Sequence, residues 1–280
     1  MKITKLQALA ISCILLCTSL PGKANTIMDT ITNKQRVLTF YKLIVGQRRA
    51  ELIPEFVRED YIQHNPTVKQ GRAGITEMIN YLKTLPPPPV GAKSPIIRAI
   101  QEGDLVVTHL DIVFMDKRMV VIDLFKLKDG MLAKHWDAIQ EVPDQTGMTI
   151  TATNGSYEID KDASTANSKE IVDRFYKAII NKDSETVTDL FINKAYIEHD
   201  PGIIDSGKGL ISYLSADPGR AIQIHRIIAE GDFVTVQSEF KRAGKAFVFY
   251  EIFRVEQGKI AEHWSVEQAI PDGIESAAMF

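Results

Sequence analysis

The amino-acid sequence predicts an α+β fold built from two tandem copies of one domain. The first observation is an internal repeat: Tyr61–Pro66 (YIQHNP) recurs as Tyr196–Pro201 (YIEHDP), and Lys134–Trp136 recurs as Glu262–Trp264. The two tryptophans of the chain form one matched pair of this repeat. The second observation is the order of patterns in each copy, since helical periodicity comes first and strand-like runs follow, which is typical of α+β proteins.

Each copy begins with segments that favour helices. Apolar residues recur at helical spacing, and the positions are Val37, Phe40, Tyr41 and Ile44 in the first copy and Ile171, Phe175 and Ile179 in the second. A short second helix is expected around Phe56 and Phe191, and a longer one begins near Gly74 and Gly209. Between them the Tyr-Ile-x-His-x-Pro segment should be extended, because the residue before a proline avoids helical angles.

The second half of each copy favours strands. Runs rich in β-branched and aromatic residues are separated by turn signals, among them Asp-Gly at Gly130 and Gln-Gly at Gly258. In the first copy the predicted strands are Ile96–Gln101, Leu105–Met115, Met119–Leu127 and Met131–Val142.

The N-terminus has the layout of a secretory signal peptide over residues 1–24. A positively charged start is followed by an uncharged, mostly apolar stretch over 6–20 and then by small residues at Gly22 and Ala24. We therefore expect an exported protein, periplasmic or secreted, whose mature chain begins at Asn25.

The repeat also sets the expected domain bounds. The first domain is predicted over 26–144, a linker over 145–166 and the second domain over 167–273. The linker is inferred from its Thr, Asn, Gly, Ser and Asp content with few apolar residues. The run Pro86–Pro89 is present in the first copy only, which is typical of an insertion in a surface loop.

Composition excludes several classes of function. The 280-residue chain has a formal net charge of -3 and a pI of about 6.1, so it lacks the basic surface that binds nucleic acid or anionic membranes. No segment after the N-terminus is apolar for long enough to span a bilayer. Both cysteines, Cys13 and Cys17, lie in the signal segment, so no disulfide or thiolate site is expected after cleavage.

Three motifs of the first copy carry a family resemblance. Tyr61–Pro66, Glu102–Asp104 before a strand, and the closing stretch His135–Pro143 (HWDAIQEVP) resemble the SnoaL-like, polyketide cyclase-like group of the nuclear transport factor 2-like superfamily. The resemblance implies cone-shaped domains, in each of which N-terminal helices pack on a curved antiparallel sheet that encloses a pocket. The group is named for polyketide cyclases that perform intramolecular aldol chemistry, and its fold hosts enzymes, binders and scaffolds.

The resemblance covers almost all of the first copy and is weaker in the second. There Ser265 replaces Asp137, and Gln237 replaces His109. Any catalysis is therefore expected in the first copy.

One carboxylate in each copy occupies an otherwise apolar strand face. Strand alternation places Asp123 between Val121 and Phe125, and Glu251 takes the same position in the second copy. A buried carboxylate must be paired or have a raised pKa. Two interpretations stay open: the group shuttles protons, or it supports a neighbouring histidine or tyrosine as a hydrogen-bond partner.

The predicted catalytic set lies in the first copy. His135 and Asp137 share a face of the last strand, His109 lies on an earlier strand and His64 precedes the long helix, so these four could converge with Asp123 on one cavity. Histidine and carboxylate together suit proton abstraction next to a carbonyl, with one group holding the enolate. For each histidine a structural role is the open alternative.

Ligand-binding residues are predicted in both copies. They are Tyr61, Trp136, Gln140 and Phe125 in the first copy and His199, Glu251, His263 and Trp264 in the second. A metal site from His64, His109, His135 and Asp123 has no close ligand-spacing motif behind it, so neither a metal nor another cofactor is predicted.

Two classes of function remain on this sequence. One is a cofactor-independent cyclase, isomerase or lyase of the aldol type acting on a small carbonyl compound. The other is a non-catalytic module that binds a small apolar ligand. In either case the two domains could pack sheet to sheet as an internal pseudo-dimer.

Overall fold

The computed structural model describes residues 31–87, 91, 93–143, 147–181, 187, 190, 195–204, 206–215 and 222–280. The predicted signal segment 1–24 and the short helix expected around Phe191 lie outside the described residues. No described helix has the length and apolar character needed to cross a membrane.

The first domain opens with α1 (Asn33–Phe40), which continues as a π-helical turn over Tyr41–Gly46. Thr32 caps α1, because its side chain accepts a hydrogen bond from the Gln35 N–H while the Gln35 side chain accepts one from the Thr32 N–H. The remaining elements are a 3-10 turn (Ala50–Leu52), α2 (Ile53–Phe56), β1 (Val57–Gln63), α3 (Gly71–Thr84), β2 (Ile96–Glu102), β3 (Leu105–Phe114), β4 (Lys117–Lys128) and β5 (Met131–Glu141).

The second domain repeats this order. Ser164 caps its first helix by accepting a hydrogen bond from the Asn167 N–H. The described elements are α4 (Thr165–Ile180), β6 (Ile197–Glu198), α5 (Gly207–Ser215), β7 (Gln223–Glu230), β8 (Phe233–Arg242), β9 (Lys245–Glu256), β10 (Lys259–Ala269) and a closing 3-10 turn (Ser276–Met279).

Both domains form a 5-stranded sheet with the same topology. The strand orders are β1-β5-β4-β3-β2 and β6-β10-β9-β8-β7. The pairs β1–β5 and β6–β10 are parallel and every other pair is antiparallel. Asp129 and Gly130 both have positive φ in the β4–β5 hairpin, which confirms the predicted turn there. The α+β prediction of two tandem domains is confirmed.

Each sheet has an inner face, which packs on the helices of its own domain, and an outer face. On β4 the inner face carries Phe125 and Leu127, which share a core with α1 and α3. The outer face carries Val120, Ile122 and Leu124. This second set belongs to a core that also contains outer-face residues of the other sheet, and those residues are Val248, Tyr250, Ile252, Trp264 and Val266.

Contacts between the domains come in reciprocal pairs. Lys34 Nζ lies 2.7 Å from Glu230 Oε1, and the equivalent Lys169 Nζ lies 2.7 Å from Glu102 Oε1. Likewise the Glu267 N–H donates to the Gln140 side chain at 2.8 Å, and the Ile139 N–H donates to the Gln268 side chain at 2.9 Å. Each of these contacts is therefore made twice, with the roles of the two domains exchanged.

The segment predicted as a linker carries no helix or strand over the described residues 147–164, but it packs tightly. The Asn154 carbonyl accepts hydrogen bonds from Trp264 Nε1 at 2.9 Å and from Arg98 Nη2 at 2.6 Å. Ser156 Oγ donates to Glu262 Oε1 at 2.5 Å. The segment is therefore part of the packed structure and is not a loose tether.

Candidate functional site

The inner face of the first sheet carries a row of polar side chains among apolar ones. Thr108 on β3, Asp123 on β4 and Asp137 on β5 are direct cross-strand neighbours. Paired residues of an antiparallel sheet point to the same face, so these three side chains lie side by side. Tyr41 reaches the row from the π-helical turn, where its hydroxyl donates to Asp123 Oδ2 and lies 3.2 Å from Thr108 Oγ1.

His135 joins this row to strand β1. Its Nε2 lies 2.9 Å from Asp123 Oδ1 and its Nδ1 lies 2.9 Å from Gln63 Oε1. The Gln63 oxygen also accepts the Asn65 N–H at 3.0 Å, which fixes the orientation of the amide. Because both ring nitrogens face acceptors, the doubly protonated imidazolium satisfies both.

The charge of His135 follows from this geometry. Burial opposes the charged ring, but the hydrogen bond and the charge of Asp123 outweigh burial and raise the pKa of His135. The Asp123 and His135 side chains are only 10% and 12% exposed. The two form a nearly enclosed ion pair, to which Phe125 adds a ring contact at 4.7 Å.

Asp137 is the acidic group of this cluster that remains partly exposed. Its Oδ2 accepts a hydrogen bond from Asn65 Nδ2 at 2.7 Å. Burial and the nearby charge of Asp123 raise the pKa of Asp137, and they outweigh the opposing effects of His135 and Asn65. A carboxyl group of this kind can exchange protons nearer to neutral pH than an ordinary aspartate.

Tyr61 completes the site from β1. Its hydroxyl accepts a hydrogen bond from Gln63 Nε2 at 3.4 Å. Burial raises its pKa well above the ordinary value, and the charges of Asp137 and Asp123 raise it further. The phenol therefore stays neutral and keeps its proton as a hydrogen-bond donor.

The structure brings together three of the five predicted catalytic residues: Asp123, His135 and Asp137. The expected convergence of His109 and His64 with them is wrong. His109 pairs with Ile122 in the β3–β4 register, which puts it on the outer face. There its Nδ1 lies 3.1 Å from Arg98 Nη1, and burial followed by the charge of Arg98 lowers its pKa well below the ordinary value.

His64 also lies on the outer side of the sheet. Its ring stacks on Trp136 with the ring centroids 4.7 Å apart, and its Nδ1 lies 2.8 Å from the Ala278 carbonyl oxygen. Arg226 of the second domain also contacts Trp136, with its guanidinium carbon 4.2 Å from the ring centroid.

The predicted ligand-binding residues divide between the same two faces. Tyr61, Phe125, Glu251 and His263 are inner-face residues. Trp136, Gln140, His199 and Trp264 lie on the outer side and make contacts between the domains or with the segment joining them. His199 stacks on Trp264 at 4.5 Å, and Arg98 of the first domain lies 4.0 Å from the Trp264 ring. These four therefore do not lie on the inner face with the acid–base cluster.

The equivalent inner face of the second domain holds a closed ion triad. His263 Nδ1 lies 2.9 Å from Glu198 Oε1, and His263 Nε2 lies 3.1 Å from Glu251 Oε1. Burial opposes the imidazolium, but the charge of Glu198 and the bonds to both carboxylates raise the pKa of His263 to about 10. The two carboxylates thus favour the protonated form of this histidine.

Sequence reasoning missed three residues of the first site. The sequence pattern places Tyr41 only on a helix, and Gln63 and Asn65 enter it only as positions of the repeat. A signal for two of them was present, because the repeat aligns Gln63 with Glu198 and Asn65 with Asp200. Polar exchanges inside an otherwise matching motif mark positions where the two interiors differ in charge.

One group of side chains in the described residues has a composition that suits a metal ion. Asp123, His135 and Asp137 each offer a ligand atom, and these atoms lie within 4.8 Å of one another. However, both nitrogens of His135 are already hydrogen-bonded, and the imidazolium form has no lone pair for a metal. The arrangement fits proton chemistry better than metal binding.

Comparison with known families supports the fold. The model of the SnoaL-like domain matches residues 37–135 and again residues 172–263. The chain belongs to the SnoaL-like domain family. Both copies found in the sequence are thus members, and the predicted resemblance is confirmed. No curated protein matches the sequence.

Several solved structures of the nuclear transport factor 2-like type are similar to a part of this chain that is about one domain long. A proposed ketosteroid isomerase from Kribbella flavida is 12% identical, with coverage of 41% of this chain and 87% of that one and a TM-score of 0.35. A LEH-like epoxide hydrolase from M. tuberculosis is 23% identical, with 37% and 84% coverage and a TM-score of 0.32. IdmH, a proposed polyketide cyclase from Streptomyces antibioticus, is 18% identical, with 36% and 91% coverage and a TM-score of 0.32.

Proposed function

We propose that the first domain is a cofactor-independent acid–base enzyme of the cyclase, isomerase or lyase type. It removes a proton next to the carbonyl group of a small molecule. The observation that carries the proposal is Asp137: a partly exposed carboxyl group with a raised pKa, held by Asn65 beside a neutral tyrosine and an ion pair.

Each group has a role in this proposal. Asp137 accepts the α-proton, and the electron pair of the broken C–H bond moves into the carbonyl to form an enolate. The Tyr61 hydroxyl donates a hydrogen bond to the enolate oxygen, and neutral tyrosine is suited to this because its pKa is raised. Asp137 then returns the proton to another atom of the substrate, so that the enzyme is unchanged after one turnover.

Asp123 has a supporting role in this scheme. Both of its oxygens are hydrogen-bonded, one to Tyr41 and one to His135. Its contribution is to hold His135 in the charged form, and the positive charge of His135 in turn limits how far the pKa of Asp137 rises. Of the two interpretations that the sequence leaves open for Asp123, this geometry favours the structural one.

The experiment is an exchange assay that needs no knowledge of the natural substrate. Small ketones such as cyclohexanone and acetophenone are incubated in deuterated buffer, and loss of their α-proton signals is followed by NMR. Asp137→Asn should lower the exchange rate by roughly 10²–10⁴-fold, the usual scale for one acid–base group, without lowering the melting temperature.

Two further variants make the assay specific. Asp123→Asn should instead lower stability by about 1–3 kcal/mol, because Tyr41 and His135 lose a charged partner. Asp129→Asn is the matched control, since this side chain is 76% exposed at the β4–β5 turn and should change neither quantity. An Asp137→Asn protein that exchanges ketone protons as fast as the original would contradict the proposed role.

The alternative proposal is a module that binds a small apolar ligand without turnover. It is favoured by the second domain, where the ion triad is fully enclosed and Ser265 occupies the position of Asp137. Absence of exchange with every ketone, together with saturable binding of an apolar compound, would support this alternative.

We further propose that the two domains pack as an internal pseudo-dimer and that the protein is exported. The first part is supported by the reciprocal contacts, in which Arg98 covers Trp264 and Arg226 covers Trp136. The second part is supported by the signal-like layout of residues 1–24.

A further inference from the structure

The interior of the second domain contains three polar groups without hydrogen-bond partners among the described residues. They are the Tyr176 hydroxyl, the Ser238 hydroxyl and Glu251 Oε2. All three belong to fully buried residues. Buried polar atoms without partners are rare and cost stability, so three in one interior call for an explanation.

The three groups all belong to residues on the inner side of the second sheet. Glu251 and Ser238 lie on the inner face, on β9 and β8, since Ser238 pairs with Phe249 and Glu251 lies two residues further along β9. Tyr176 comes from α4 and contacts Phe253 on the inner face of β9, with ring centroids 6.2 Å apart. The three groups thus belong to the core between α4 and the inner face of the sheet.

The first domain does not share this feature. At the equivalent positions the Tyr41 hydroxyl donates directly to Asp123, and Leu110 stands where the second domain has Ser238. The unpartnered buried side-chain atoms described in the first domain belong to His64, His109 and Trp136, which lie on the outer side of its sheet. Serine in place of leucine leaves less apolar volume in the second interior and adds a hydroxyl group.

We propose that the interior of the second domain is a binding site for a small neutral alcohol, with the hydroxyl group of the ligand among Tyr176, Ser238 and Glu251. The apolar body of the ligand lies against the aromatic rings of Phe240, Phe249 and Phe253, which line the same core. This site is separate from the acid–base centre, so it does not depend on the proposed catalysis.

The chemistry of the three groups selects an alcohol over other ligands. A hydroxyl group both donates and accepts, so it can pair with the two hydroxyl side chains and with Glu251 in either protonation state. A ketone can only accept, and an alkylammonium can only donate. Burial raises the pKa of Glu251 despite its bond to His263, which further disfavours recognition by charge alone.

The test uses the full chain and calorimetric titration with cyclohexanol, menthol and naphthol. We expect one-to-one binding of at least one of these alcohols. Tyr176→Phe and Ser238→Leu should each weaken it by about tenfold, the effect of one hydrogen bond or of filling the space. Ser238→Ala replaces Ser238→Leu if the larger side chain prevents folding.

Thr235→Val is the matched control. Thr235 lies on the same strand with a buried hydroxyl that also lacks a partner among the described residues, but it pairs with Ile252 on the outer face. Its removal should leave binding unchanged. The proposal is overturned if none of the three alcohols binds, which would mean that the interior holds only water. It is equally overturned if Tyr176→Phe weakens the binding of cyclohexanone or cyclohexylammonium more than that of cyclohexanol, or if Thr235→Val weakens cyclohexanol binding as much as Tyr176→Phe.

Discussion

The difference between the two histidine sites can be tested by converting one into the other. Gln63 and Glu198 occupy the same position of the repeat, and each contacts the Nδ1 of its histidine at 2.9 Å. Gln63→Glu would give His135 a second carboxylate and so reproduce the triad around His263. The side chains are similar in shape, so the change alters the charge with little effect on packing.

The size of the pKa shift expected for His135 can be judged from His263 in the second domain. His263 has a pKa of about 10, against the ordinary 6.5 of histidine. At 1.36 kcal/mol per pKa unit, this difference corresponds to roughly 5 kcal/mol in favour of the charged ring. In Gln63→Glu the second carboxylate should stabilise the charged form of His135 by less, about 1–3 kcal/mol. The reason is that its ion pair is 10–12% exposed, whereas all members of the triad have fully buried side chains.

The assay is an NMR titration that follows the ring resonances of the six histidines of the chain. We expect the pKa of His135 to rise by about one to two units in Gln63→Glu, and that of His263 to fall in the reverse variant, Glu198→Gln. Since the folded-state pKa is raised, the added stability is fully present below about pH 6.5 and is lost as the pH rises through the new pKa. An unchanged His135 titration in Gln63→Glu would refute the reasoning, because it would mean that the introduced carboxyl group is protonated.

Three further outcomes are expected. Arg226→Ala should lower stability by about 1–3 kcal/mol in thermal melts, because the cation over Trp136 is lost, whereas Lys241→Ala on the exposed surface should have no effect. Gly155→Ala should destabilise the protein by more than Gly147→Ala in chemical denaturation. Both glycines have positive φ, but only at Gly155 would the new Cβ clash, 2.5 Å from Glu262 Oε2. N-terminal sequencing of exported material should give Asn25, and an intact Met1 on such material would contradict cleavage.

The fold could be predicted because its signals are local and occur twice. Helical spacing around Phe40 and strand runs ending at Asp129-Gly130 depend on a few neighbouring residues. The repeat then tests each assignment, because an element found in one copy should return in the other. The face that Asp123 shares with Phe125 and Asp137 follows from alternation along one strand and from the hairpin turn.

The placement of His109 and His64 could not be predicted in the same way. Alternation along β3 says that His109 and Asp111 share a face, but it does not say which face is inside. That depends on the register with β4, where Thr108 and not His109 pairs with Asp123. A shift of one residue would exchange the two faces, and the sequence of β3 is apolar on both sides.

The same ambiguity explains the tryptophans. A His-Trp pair on a strand must place one ring on each face, and a motif that occurs twice suggests a pocket in each copy. In the structure Trp136 and Trp264 instead lie on the outer faces of their sheets, each in contact with an arginine of the other domain. Only the tertiary packing decides this, because both faces carry buried residues: those of the inner face share a core with the helices, and those of the outer face belong to a core that contains residues of both domains.

The two domains differ in the polar residues of their inner faces. On the outer faces several contacts between the domains are reciprocal, although Gln237 replaces His109 there. One substitution, Gln63 against Glu198, leaves His135 with a single carboxylate while His263 has two. Another, Asp137 against Ser265, keeps a carboxyl group at this position of the last strand in the first domain only. The outer faces of the two sheets thus share contacts between the domains, whereas the inner faces carry different polar residues.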